Sequence, residues 1–98
     1  MTINKNLDNG KMTLTLEGRL DTTTAPLLEE ELKTAEEGVN ELVMDFEKLE
    51  YVSSAGLRVL LAAQKMMNKR GGMTICNVCT DIMEIFEITG FVDILTIE

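Results

Sequence analysis

Ninety-eight residues with a formal net charge of −8, 45% hydrophobic and only 4% aromatic, describe a small acidic chain with an aliphatic core. That acidity argues against a nucleic-acid binder, which shows a basic face. The absence of histidine excludes Ser-His-Asp and Cys-His catalysis within one chain, and any His-ligated metal. No apolar run approaches the roughly 18 residues of a membrane span. Met1 to Lys5 lacks the apolar segment of a signal peptide. One domain spanning residues 1–98 is expected, in the cytoplasm and without membrane insertion.

Ile3 and Leu7 lie in a run that predicts an edge strand. Asp8-Asn9-Gly10 is a hairpin signal, because Asn-Gly accepts the positive φ of a tight turn. Met12, Leu14 and Leu16 then alternate with Thr13, Thr15 and Glu17, a strand with one buried face. Gly18 to Thr24 can turn the chain and cap a helix, and Pro26 suits its first turn. Leu28, Leu32 and Ala35 form a helical stripe, Glu29, Glu30 and Glu31 a solvated face, and Gly38 a C-cap.

Leu42 to Phe46 is almost continuously hydrophobic, as in a strand covered on both faces. Glu47 to Tyr51 read as a connection. A second helix spans about Ser54 to Lys69, with Leu57, Leu60, Leu61 and Met67 inward and Arg58 outward, and Gly71-Gly72 stops it. Met73 to Val78 reads as another strand covered on both faces. Asp81 with Glu84 resembles a capping box. Ile82, Ile85 and Phe86 share a helical face that ends at Gly90. Phe91 to Ile97 is either a last strand or a short helical turn. Most of the seven methionines fall in hydrophobic patterns and read as core filler.

The predicted order is β-β-α-β-α-β-α. Right-handed crossovers make the later strands parallel, so the loops that follow them share one rim. That rim carries Asp21 to Thr24, Ser53 to Gly56, and Cys79 to Asp81. Ser53 and Ser54 stand where a strand feeds a helix N-terminus, a position that favours a serine cap and tolerates an anion. Gly56 leaves bare backbone there for a close approach. Neither a general base nor a lysine partner activates the serines, and no phosphate-binding glycine loop is present. A serine that accepts a group from another enzyme fits better than a nucleophile.

Val52-Ser53-Ser54-Ala55-Gly56-Leu57-Arg58-Val59-Leu60-Leu61 resembles the signature of STAS domains, the family of bacterial anti-sigma factor antagonists. Gly18-Arg19-Leu20-Asp21-Thr22 resembles the family's Gly-x-Leu/Ile-Asp turn. The resemblance covers essentially the whole chain. It implies an α/β fold, a mixed sheet of four to five strands with helices packed against it. It also implies phosphorylation of Ser54, with Ser53 as second choice because many members carry Asp there. Asp21, Thr22, Thr23, Ser53, Ala55, Gly56, Leu57 and Arg58 become the partner-contacting residues.

The implied partners are an anti-sigma factor serine kinase, which brings its own ATP, and a serine phosphatase. No cofactor or enzymatic reaction of the chain's own is expected, and the expected state is a monomer or weak dimer. Family members usually continue into a further C-terminal helix. Two other readings stand beside this one: an unphosphorylated STAS subunit of a transporter or signalling assembly, and a thiol oxidoreductase using Cys76-Asn77-Val78-Cys79. Against the last, Cys76 falls in a hydrophobic strand, where burial makes a thiol inert.

Overall fold

The computed structural model describes residues 1–34 and 38–98. Strands β1 (Thr2–Asp8) and β2 (Lys11–Leu20) form an antiparallel hairpin. Asn9 and Gly10 take φ of 50° and 83°, the turn that Asn-Gly predicts. Helix α1 (Ala25–Lys33), strand β3 (Glu41–Val52), helix α2 (Ser54–Asn68), strand β4 (Met73–Cys76) and helix α3 (Thr80–Thr89) follow. The sheet order is β1-β2-β3-β4, with β2, β3 and β4 mutually parallel. Among the described residues the sheet therefore has four strands. Phe91–Asp93 is a 3-10 turn, and the final segment meets the sheet at a single bridge, Ile97 opposite Ile75, made by backbone hydrogen bonds of Thr96 and Glu98 with Ile75.

The core is one-sided. Met12, Leu14 and Leu16 of β2, Leu42, Met44 and Phe46 of β3, and Met73 and Ile75 of β4 are buried beneath Leu28, Leu60, Met67, Ile82 and Phe86 from the helices. The Phe46 and Phe86 rings meet at 6.5 Å between centroids. On the opposite face Thr13, Thr15, Val43, Asp45, Thr74 and Cys76 are only half-buried. The expectation of strands covered on both faces is thus corrected: β3 and β4 alternate like any half-solvated strand.

Glu47 to Tyr51 form no connection but the second half of β3. That half pairs with β2 from Glu17↔Lys48 to Leu20↔Val52, after register shifts between Thr15 and Glu17 and between Gly18 and Arg19. β4 stops at Cys76, short of Val78, because Asn77 takes a positive φ of 58°. α1 ends before Gly38. Its C-cap is Thr34, whose hydroxyl donates to the Glu31 carbonyl at 2.6 Å. Ala35, placed in the α1 stripe above, lies outside the described residues.

The expected capping box at Asp81 is absent. Cys79, in extended conformation, is the N-cap of α3, and Asp81 falls inside the first turn, where the helix dipole favours an acid. α2 matches its predicted span within a residue. Leu57, Leu60 and Met67 are buried as expected, with Leu61 half-buried. Lys5 of β1 lies 3.3 Å from Glu31 Oε2, an ion pair without hydrogen-bond alignment that ties α1 to the hairpin. No helix among the described residues is long and apolar enough to cross a membrane.

Candidate functional site: the serine turn between β3 and α2

β2 and β3 end level, Leu20 opposite Val52. The next peptide is stitched across the gap, with the Ser53 N–H donating to the Leu20 carbonyl at 2.8 Å. The loop before α1 and the turn before α2 therefore touch at their roots. Gly56 makes the contact close. A Cβ there would lie 2.7 Å from Leu20 Cγ and 3.1 Å from the Leu20 carbonyl oxygen. The bare backbone of Gly56 is thus taken up by the chain's own Leu20 and offers no approach to another molecule.

The two serines divide the work. Ser53, in extended backbone conformation, is the N-cap, and its Oγ accepts from the Gly56 N–H at 3.3 Å. Ser54 is the first helical residue and is exposed. Its hydroxyl makes no hydrogen bond among the described residues. Thr22, Thr23 and Arg58 are exposed and Ala55 is half-buried. Leu57, expected among the contact residues, points into the core at 7% exposure. It is the i+3 neighbour of Ser54, but its side chain belongs to the buried stripe of α2.

Asp21 organises the neighbouring loop. Its Oδ1 accepts from the Thr23 hydroxyl at 2.8 Å, the Thr23 N–H at 3.0 Å and the Thr24 N–H at 3.2 Å. The Thr24 hydroxyl in turn donates to the Arg19 carbonyl at 2.7 Å. The Thr23 hydroxyl, joined by the N–H groups of Thr24 and Thr23, holds the Asp21 carboxyl below its ordinary value against an opposing push from desolvation. The Asp21 Oδ2 lies 3.9 Å from Arg19 Nε, and the Arg19 guanidinium stacks 4.4 Å above the Tyr51 ring.

Arg19 and Tyr51 were not among the expected site residues. A signal was present: each stands two residues before a loop residue of interest, Asp21 and Ser53, and adjacent strand ends place such residues opposite each other.

Between α1 and α2 runs a groove of about 450 Å³, lined by Thr22, Ala55 and Arg58 at its loop end and by Ala25, Val59 and Met66 further on. Cys79 to Asp81, the third loop expected on the rim, stand further back. β4 ends at Cys76 opposite Asp45, and Cys79 Sγ lies 4.0 Å from the Leu49 carbonyl, well before β3 ends. Both cysteines are free. Cys76 is half-buried on the open face of the sheet, not in the core. Burial, reinforced by Asp45, Glu98 and Glu47, pushes its thiol above the ordinary value. A thiolate nucleophile requires the opposite shift.

Residues 2–98 match the family described as the STAS domain. The chain is 35% identical over 91 residues to the protein BtrV of Bordetella bronchiseptica, which is named as an anti-sigma factor antagonist, covering 91% of this chain and 78% of that one. It is 33% identical over 81 residues to the anti-sigma-B factor antagonist of Bacillus subtilis strain 168, covering 82% and 74%. Its fold superimposes on the anti-sigma factor antagonist SpoIIAA. The unphosphorylated form gives a TM-score of 0.84 at 17% identity, over 99% of this chain and 88% of that one. The phosphorylated form gives 0.77 at 17% identity, over 99% and 91%. The sheet, the serine turn and the matches agree: the chain belongs to the STAS domain family.

Proposed function

We propose that this chain is an anti-sigma factor antagonist: it binds a serine-kinase anti-sigma factor while Ser54 is unmodified and releases it once Ser54 is phosphorylated. The observation that carries this reading is the exposed Ser54 hydroxyl, free of hydrogen bonds among the described residues, beside a Ser53 already committed to capping. The names of the 35% and 33% identical relatives support the antagonist role. Thr22, Thr23, Ala55 and Arg58 supply the contact surface around the serine, and Asp21 fixes the loop that presents it.

The kinase holds ATP. A bond forms between Ser54 Oγ and the γ-phosphorus, the bond to ADP breaks, and the hydroxyl proton passes to a base of the kinase. The product carries about −1.5 to −2 charge at neutral pH. At a helix N-terminus that charge is tolerated, by about 0.3–1 kcal/mol in its favour. Across an interface it is not: two like charges 4 Å apart repel by about 4 kcal/mol at an effective dielectric of 20. At about 1.4 kcal/mol per tenfold, affinity falls on the order of a thousandfold. A phosphatase returns the hydroxyl.

The test is incubation with ATP and the anti-sigma factor kinase of the same cell, followed by mass spectrometry and a binding titration. Ser54→Ala binds but accepts no phosphate, Ser53→Ala is still modified, and Ser54→Asp folds yet binds poorly. Phosphate on Ser53, or full-strength binding by phosphorylated protein, overturns the reading. Binding with no phosphate anywhere favours the unphosphorylated STAS subunit instead.

A further inference from the structure

Ser54 and Arg58 stand four residues apart at the start of α2, and both are exposed. Residues at that spacing are neighbours on one helical face. Helical side chains lean toward the N-terminus, so a long side chain at position 58 can reach over the turn that Ser54 opens. Four residues rise about 6 Å along the axis, a span that an arginine covers. Arg58 forms no ion pair among the described residues. The other cations around the loop are engaged: Arg19 lies over Tyr51 at 4.4 Å and 3.9 Å from Asp21, and Lys33 pairs with Glu30 at 3.3 Å. Among the described residues the acids near Arg58 on packed elements are few. Glu29 of α1 shares the groove wall with it, and Asp21 spends its Oδ1 on Thr23 and Thr24.

We infer that Arg58 receives the phosphate of phosphoserine 54 within the same chain, pairing with it across one helical turn and leaving the mouth of the α1–α2 groove. The inference rests on Ser54 being the acceptor, the reading proposed above. Before modification Arg58 lines the groove together with Thr22 and Ala55, where a partner carboxylate can meet it. After modification its planar fork matches two phosphate oxygens. Phosphorylation then does two things to a partner: it adds an anion and withdraws a cation.

The experiment needs no kinase. Phosphoserine is incorporated at position 54 during translation, and the phosphorus resonance is titrated with pH in the wild-type chain and in three variants. A free phosphoserine has its second pKa near about 6, and a paired cation lowers it. The wild-type value should lie about 0.2–0.4 unit below that of Arg58→Gln, the size of an exposed i,i+4 ion pair. Arg58→Lys should keep part of the difference. Lys65→Gln, which removes an exposed cation from the far end of the same helix, should titrate like wild type. Coincident titrations of wild type and Arg58→Gln overturn the inference, as does an equal shift in Lys65→Gln, which would reflect net charge alone. Kinase-catalysed modification of Ser53 would sink the proposed function while leaving this titration unchanged, so the two failures are distinct.

Discussion

At Ser53 and Ser54 two adjacent identical side chains have different work because one backbone is extended and the other helical. Ser53→Ala removes the cap and should cost about 0.5–2 kcal/mol. Ser54→Ala, at an exposed first-turn position whose hydroxyl caps nothing, should stay within about 0.5 kcal/mol of wild type. Urea titrations with unchanged slopes would measure both. Gly56→Ala drives a methyl into Leu20 and should cost about 1–3 kcal/mol through overpacking, read as a lower urea midpoint.

Asp21 makes a pH prediction. Its carboxyl is held below the ordinary value in the folded chain, so its contribution is present above the unfolded value of about 3.9 and is lost as pH falls through the lower folded one. The stability gap between wild type and Asp21→Asn should therefore be constant above about pH 5 and narrow below about pH 4. A gap that widens in acid would contradict the loop geometry. The same variant tests the proposed part of the loop in kinase binding: if phosphorylation and kinase affinity stay at wild-type values, Asp21 serves only to shape the turn.

Among the elements, those with a regular period were legible. The hairpin followed from Asn9-Gly10, β2 from its alternation, and α2 from its stripe and the glycines after it. β3 was half legible. Its buried residues come every second position through Leu42, Met44 and Phe46, then every third through Leu49 and Val52. That change of spacing, made by the register shifts against β2, imitates a charged loop. The one-sided sheet was hidden for a related reason: Val43 looks like core in a short hydrophobic run that also holds Asp45, yet both face the open side. The serine turn was legible from its residues, but its closure against Leu20 depends on a strand 33 positions earlier. Arg19 over Tyr51 is another product of strand pairing alone.

The C-terminal segment depends on one buried amide, Gln64, which no hydrophobic pattern in the sequence marks. Gln64 donates to Asn68 Oδ1 at 2.8 Å and accepts from the Thr96 N–H at 3.3 Å, while Ile75 exchanges backbone hydrogen bonds with Thr96 and Glu98. Gln64→Leu leaves the Thr96 N–H unpaired and should cost about 1–3 kcal/mol. Amide exchange at Thr96 and Glu98 should quicken while β2 and β3 keep their protection.

Across the whole molecule, helices on one face and parallel strands with level ends bring residues 21–24 and 53–58 together, while the shorter β4 leaves the cysteine loop behind. The stitch from Ser53 to Leu20, with Gly56 seated on the same residue, sets how the kinase proposed above would meet this chain. In solution, an excised peptide covering Tyr51 to Leu61 would sample many backbone states. Fixing each residue costs about 1–2 kcal/mol of conformational entropy, a cost that the folded chain has already met before any encounter. A kinase that reads this serine should therefore recognise a surface rather than a linear string. The peptide should be phosphorylated with kcat/KM lower than the intact chain by at least about a hundredfold, the equivalent of fixing two residues. Comparable rates on peptide and protein would mean that the rigid turn is incidental to recognition.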